Sequence, residues 1–451
     1  MGIRMTGLAS GIDPKLVDQL VEVQKLPMEA AQKRKEKVVQ EKGEFSNLDK
    51  LLSELDTTSR AISSRGDFFK LKVESSHPDI IDGTVSEGIA LLGSYEFEVR
   101  GVAKSEKELA YGFPDKDQTP VGFGFMEVHR ADKEPLEIVI EPDATLQDVA
   151  NQINDQDAGL RAMVINTKFK PDSYRLLVVS ADSGEEAKIV VDEDTTFLEF
   201  KEQVTGRNLD ILFEDVPITD EDNTLDELLD GVVFNVKRAE AGTRVQVNVT
   251  HDMDATVEQI KAFVDKYNEI ANYAHQQNQE DPEGKRGILA GDGALRTIMR
   301  NLQSTVLTTR NFGGKYNIMA DVGITTDPKT GNLTMDDSKV RAALAENYEE
   351  VASMFVSTKD GPGLAARVSD AIKGFRDPVS GVVKSRIKGL DTIIKNQDQD
   401  IERKQRQLTQ KEEQIRRQFS SLESQMSKLN SQGDFLSARM GAASGQKGSQ
   451  G

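Results

Sequence analysis

Four histidines, His77, His129, His251 and His275, are the first residues to weigh for chemistry, and they stand far apart with no paired metal-ligand spacing. No HExxH, no nucleophile-elbow GxSxG and no Walker phosphate loop occurs. There is no cysteine, so a disulfide, a thiolate metal site and a cysteine nucleophile are all excluded. The segment DEDNTLDE at 220–227 has the flavour of a calcium loop. It lacks that loop's central glycine and terminal glutamate, and a solvated acidic face is the expectation. Asn248-Val249-Thr250 and Asn332-Leu333-Thr334 match the glycosylation triplet, but each falls in a predicted strand or hairpin and carries little weight. The sequence therefore offers no active site, metal or cofactor, and an enzyme is not expected.

Charge narrows the partners. The formal net charge is −19, with 57 basic against 76 acidic residues. Nucleic acid, which demands clustered Lys and Arg, is not an expected partner. The imbalance is uneven: residues 181–230 hold 17 Asp and Glu against three basic residues, while 384–429 hold 11 Lys and Arg against seven acids. No run of about 18 apolar residues occurs, so no membrane insertion is expected. The N-terminus lacks the apolar core and cleavage site of a secretory signal, and its Gly2/Thr6 match to a myristoylation pattern is read as chance. The chain is expected either to stay in the cell or to leave it without a cleaved signal.

What the sequence does build is long helices at its two ends. An aliphatic residue recurs every seventh position at Ile387, Ile394, Ile401, Leu408, Ile415, Leu422, Leu429 and Leu436. Seven residues is close to two helical turns, so these side chains form one narrow stripe. The positions that would complete a coiled-coil seam are mostly polar, from Gln397, Lys404 and Lys411 to Gln432; Phe419 and Met426 widen the stripe near its end. At the other terminus, Ile12, Leu16, Leu20 and Val23 share a face, with Asp13 as N-cap and Pro14 at the first helical position. Pro27 is expected to interrupt this helix. A second then runs from about Glu29 to Ile62, with Val38, Phe45, Leu48, Leu52 and Leu55 on its apolar side. Two thin seams at the two ends are most simply used on each other.

Between them the period switches to two. YEFEVRGVAK (95–104) and LEIVIE (136–141) alternate as half-buried strands, and TLQDVANQIN (145–154) is a short helix capped by Thr145. LRAMVIN (160–166) and YRLLVVS (174–180) read as a hairpin, with further strands at 188–192, 209–218, 231–237 and 243–250 and a loop or inserted subdomain at 111–125. Helices return at 253, 292–308, 337–356 and 363–376, with a hairpin in DVGITTDPKTGNLTMD before 337. The expected class is α+β multidomain: long terminal helices forming a helical-bundle leg and core, with inserted antiparallel β-rich outer domains. The expected boundaries are N-terminal leg helices 1–42 pairing with a C-terminal leg helix and tail 400–451, a helical core of 43–75 and 251–399, and β-rich head domains at 76–250, one or two in number.

Several stretches together resemble the bacterial flagellar filament cap, the hook-associated protein 2 family. They include SGIDPKLVDQLVEVQKLPMEAAQKRKEKV at the start, YRLLVVSADSG after ATLQDVANQIND and LRAMVIN, NTLDELLDGVVFNVKRA with the following VNVTHDMDATVEQIKAFVDKYNEI, DVGITTDPKTGNLTMDDSKVRAALAENYEEVASMF, and QFSSLESQMSKLNSQGDFL. They occur in family order and cover most of the chain; 105–134 and 181–215 depart from the pattern. The resemblance implies a capping protein at the distal filament tip, extracellular and exported without a cleaved signal. It would promote folding and insertion of exported flagellin and prevent its loss. It also implies a homo-oligomeric ring of about four to six subunits, with flagellin and a flagellar export chaperone as partners. The legs are then expected to make oligomer or filament contacts through Leu16, Leu20, Val38, Ile387, Ile394, Ile401, Leu408, Ile415, Phe419, Leu422, Met426 and Leu429. The alternatives are a secreted surface adhesin or another axial protein, such as one at the hook–filament junction.

Overall fold

The computed structural model describes residues 14–86, 90–130, 133–308, 314–359 and 361–445. The expected N-cap Asp13 and the apolar Ile12 lie outside them. In chain order the elements are α1 (Pro14–Arg60), α2 (Arg65–Phe68), β1 (Leu71–Ser75), β2 (Ile81–Val85), β3 (Gly93–Gly101), β4 (Lys107–Ala110), β5 (Gly122–Arg130), β6 (Lys133–Ile140) and α3 (Leu146–Asp155). There follow β7 (Leu160–Asn166), β8 (Tyr174–Ser180), β9 (Ile189–Thr196), β10 (Phe200–Val204), β11 (Leu209–Phe213), β12 (Val216–Asp220), β13 (Thr224–Leu229), β14 (Val232–Val236) and β15 (Arg244–His251). The chain ends with α4 (Met253–Asn278), α5 (Gly293–Leu307), β16 (Ile324–Thr326), β17 (Leu333–Met335), α6 (Asp337–Glu346), α7 (Tyr348–Phe355), α8 (Leu364–Arg376) and α9 (Val382–Gly445). The fold is α+β and multidomain, with long helices toward both termini and antiparallel sheets between them in sequence.

The chain forms two compact units, one of residues 1–63 with 259–451 and one of residues 64–258. Residues 64–75, expected in the helical core, instead begin the β-rich unit. The reason is pairing: Leu71–Ser75 runs antiparallel along His251 to Val247 for its whole length.

The β-rich unit holds two cores. One lies between the five-stranded sheet β1-β15-β3-β11-β12 and the three-stranded sheet β13-β14-β2, and is filled by Phe97, Val99, Ile211, Phe234, Val245 and Val247. The other joins the four-stranded sheet β10-β4-β8-β7, the three-stranded sheet β6-β5-β9 and α3. Alternation explains both, because each strand sends every second side chain inward. Thr145 caps α3 by a reciprocal box: its hydroxyl accepts from Asp148 N, and its own N–H donates to the Asp148 carboxylate at 3.0 Å.

The single strand expected at 209–218 is a tight hairpin, β11 and β12, turning through Glu214 and Asp215 at φ 49° and 62°. Such a turn ordinarily takes Asn-Gly. Here neighbours stabilise it: the Glu214 carboxylate accepts from Glu96 N at 2.8 Å, and Arg244 reaches Asp215 at 2.9 Å.

In the helical unit α8 packs with the C-terminal half of α1, α5 and α7 pack on α8, and α4 is tied to α1 through Tyr273–Glu44 and Lys266–Glu54. Phe45, Leu48, Leu52, Leu55, Phe263, Ile270, Ile298, Leu302 and Phe355 are all buried. Two expectations change here. Pro27 does not break α1, which is one helix of 47 residues. A mid-helix proline costs about 3 kcal/mol; here Val21 and Ala31, buried on either side of it, hold the helix in place. The helix expected at 337–356 is two helices, because Asn347 leaves the helical conformation and its side chain accepts from Glu350 N to start α7.

Candidate functional site: the paired terminal helices

Helices α1 and α9 run antiparallel, and their charged side chains give the register. Lys35 meets Asp398 at 2.5 Å, Lys42 meets Asp391 at 2.6 Å, and Asp49 meets Lys384 at 2.8 Å. These are heptad steps on both helices, so the three pairs form a ladder along one seam. Arg386 adds a bond to Glu41 at 2.7 Å and lies over the Phe45 ring at 5.7 Å. Farther out, Lys411 donates to the Gln24 side chain at 3.1 Å. The N-terminal segment up to residue 42 thus meets α9 from residue 391 onward, not from residue 400.

The seam changes character along its length. Near the core end, Asp49 is held by Arg376 at 2.9 Å as well as by Lys384. Burial alone would raise the Asp49 carboxyl, but hydrogen bonds from these two cations outweigh it and hold it below its ordinary value. Tyr273 donates to the Glu44 carboxylate at 2.8 Å, and the Glu44 backbone oxygen lies 3.0 Å from the same hydroxyl. Burial first, and Glu44 second, push that phenol well up. Ser369 donates to Asp56 at 2.5 Å.

Toward the free end apolar burial thins. After Leu390 the next buried aliphatic residue on α9 is Leu408, 7 % exposed, and described residues beyond it are at most half-buried. Gln397 occupies a seam position between them, and its buried side-chain oxygen has no hydrogen-bond partner. Such an atom costs about 1–3 kcal/mol, so the seam is weakened where the aliphatic stripe alone would predict continuity.

The structure sorts the twelve candidate contact residues. Leu408 is buried; Val38, Ile387, Ile394, Ile401, Ile415, Phe419 and Met426 are half-buried; Leu20, Leu422 and Leu429 are exposed. Leu16 lies in α1, but its side chain is outside the described residues. The expected N-terminal face therefore changes phase. Leu20 and Val23 point to solvent, while the packed line runs through Val21, Gln24, Met28, Ala31, Lys35, Val38 and Lys42. That line is half lysine stem, glutamine and alanine, which a search for aliphatic periodicity does not find. Exposed apolar side chains remain on both helices: Leu20, Val23 and Leu26 on α1, and Leu429, Phe435 and Leu436 on α9. Among the described residues no group of side chains that could hold a metal ion occurs.

Residues 10–106 match the family model described as flagellar hook-associated protein 2 N-terminus, and residues 206–431 the one described as flagellar hook-associated protein 2 C-terminus. The chain is 26% identical over 428 residues to the A-type flagellar hook-associated protein 2 of Pseudomonas aeruginosa, covering 87% of each. It is 23% identical over 415 residues to the flagellar hook-associated protein 2 of Escherichia coli K12, covering 86% of this chain and 87% of that one. Its fold is similar to the crystal structure of the flagellar cap protein FliD D1-D2-D3 domains from Escherichia coli. The TM-score is 0.61 at 24% identity, over 77% of this chain and 99% of that one.

Proposed function

The chain belongs to the flagellar hook-associated protein 2 family, and on that premise we infer that it caps the distal tip of the flagellar filament. There it promotes folding and insertion of exported flagellin and prevents its loss. The observation that carries this reading is that the two matched segments hold α1 and most of α9, the two helices that pair with each other. The role is structural and places the protein outside the cell on the flagellum.

A cap advances with every subunit added, so its contact with the filament has to release and re-form. A seam of single heptad aliphatics, lysine stems and ion pairs suits that, because each contact contributes little and the pairs exchange readily with water. We assign the leg contacts to the exposed and half-buried members of the candidate set that lie toward the free ends of the two helices, Leu20, Ile401, Ile415, Phe419, Leu422, Met426 and Leu429. The same reading includes a ring of copies and an export chaperone, for which the basic stretch of α9 is a natural docking segment.

Deleting the gene in the native host tests the reading. Filaments should be short or absent, with flagellin monomer in the medium. Normal filaments without shed flagellin would overturn it.

A further inference from the structure

Residues 107–205 lie between the two matched segments and form the lobe built on β10-β4-β8-β7 and β6-β5-β9. Both sheets turn alternate residues into a common core: Met126, Val128 and Ile138 from one, Leu176, Val178 and Ala162 from the other. Their remaining residues therefore point away from that core, on separate outer faces.

The outer face of β6-β5-β9 is apolar and acidic. Register places Phe125 opposite Val139 and Glu127 opposite Glu137. Phe123, Phe125 and Val139 are 60%, 51% and 51% exposed, with Phe197 beside the sheet at 68%. Glu127 lies 3.2 Å from His129 Nε2 on the same strand, while Glu137 opposite it keeps the face acidic, and exposed aromatics grouped beside such charges are the mark of an interaction surface.

The outer face of β10-β4-β8-β7 is apolar and basic. One row across the four strands reads Met163, Leu177, Leu109, Lys201, and the next reads Arg161, Val179, Lys107. Met163 on the edge strand is 46% exposed. Arg175, outward on β8, has a buried Nε with no hydrogen-bond partner. Among the described residues no ion pair involves Arg161, Lys107, Lys201 or Arg175.

We propose that these two faces bind each other between copies of this chain, the acidic Phe125/Val139 face of one copy against the basic Met163/Leu177 face of the next. Either face against its own kind brings like charges together, whereas acid against base is attractive and sets orientation. A contact between two different patches is head-to-tail, and it closes into a ring when its rotation closes. The inference rests on the capping reading for where the copies meet, and supplies the contact between them.

The chain has no native cysteine, so single introduced thiols report unambiguously. Full-length Val139→Cys and Met163→Cys chains, mixed and treated with a short bismaleimide, should yield a linked dimer at least about tenfold more abundant than either chain gives alone. Adding Glu127→Lys and Glu137→Lys to the Val139→Cys chain should abolish the link. Adding Lys107→Glu and Lys201→Glu to its Met163→Cys partner should restore it. As a charge-neutral check, Phe125→Ser should reduce linking between the two cysteine chains without altering the circular dichroism spectrum. Equal linking by either cysteine chain alone, or no link in the mixture, overturns the proposal. Neither result touches the capping reading, which stands or falls with the gene deletion.

Discussion

Residues 45–60 and residues 20–42 belong to one unbroken helix, yet they are held by different physics. In the first stretch Phe45, Leu48, Leu52 and Leu55 are each fully buried. In the second, Val21 and Ala31 are the buried positions, and lysines at 35 and 42 meet aspartates across the seam. Helix α9 repeats the contrast, with Val383 and Leu390 buried near the core and Leu429, Phe435 and Leu436 exposed beyond it. Secondary structure is the same throughout; what differs is the free energy needed to open it. A rigid base thus continues, with no hinge residue, into a loosely held limb.

The strongest way to break this comparison is at the base. Phe45→Ala should cost about 3–5 kcal/mol of global stability, read as a lower melting temperature with the whole helical unit affected. An effect confined to residues below 42 would mean that the base and the limb are not distinct.

Leu408→Asp acts on the limb. Losing one buried leucine there removes about 2 kcal/mol of local packing and places a carboxylate in the seam. The global melting temperature should hold while capping is lost, seen as short filaments and shed flagellin. In the unaltered chain, amides across 400–436 should exchange at least about a hundredfold faster than those across 45–62, a difference of nearly 3 kcal/mol. Strong protection across 400–436 in the free protein, or filaments of normal length from the Leu408→Asp chain, removes the idea of a conditional limb.

Much of this division is legible in the sequence, and for a definable reason. The stripe from Ile387 to Leu436 announces α9 because a seven-residue repeat specifies a helix face without reference to any partner. The hairpins β7–β8 and β16–β17 follow from local alternation and turn residues in the same way. Features that depend on distant neighbours are not legible. The Glu214–Asp215 turn needs Glu96 and Arg244, both far away in sequence. The unbroken course through Pro27 needs packing that local rules do not contain. The α1 seam is hidden because Lys35 and Lys42 read as solvent-facing until Asp398 and Asp391 are placed opposite them.

The junction between base and limb is Asp49, where acid provides the probe. Its carboxyl is held below the ordinary value of 3.8 by Arg376 and Lys384 against the opposing effect of burial. A depressed carboxyl contributes stability that is fully present above the unfolded value and is lost as pH falls through the folded one. Asp49→Asn should therefore cost about 1–3 kcal/mol near neutrality, and the gap between variant and parent should close as pH falls from about 5 toward about 3. A gap independent of pH would show that Asp49 acts through shape and not through its charge.

The smallest expected effect tests how the limb keeps its register. Along α1 the ladder reads Lys35, Lys42, Asp49, and along α9 in the facing order Asp398, Asp391, Lys384. A slip of one heptad in one direction sets Lys42 against Lys384; in the other it sets Asp49 against Asp391. Either slip places like charges together, so the change of sign at the third rung selects one alignment from a repeat that is otherwise nearly degenerate. The pairs themselves are half-exposed, and each contributes about 0.2–1 kcal/mol. Lys42→Glu should raise amide exchange across 35–42 and 391–398 by about two- to fivefold. Adding Asp391→Lys should bring it back, and about 1 M salt should flatten the difference by screening. If the single change is silent while Leu408→Asp still opens the limb, register is carried by the aliphatic stripe alone and the ladder is incidental.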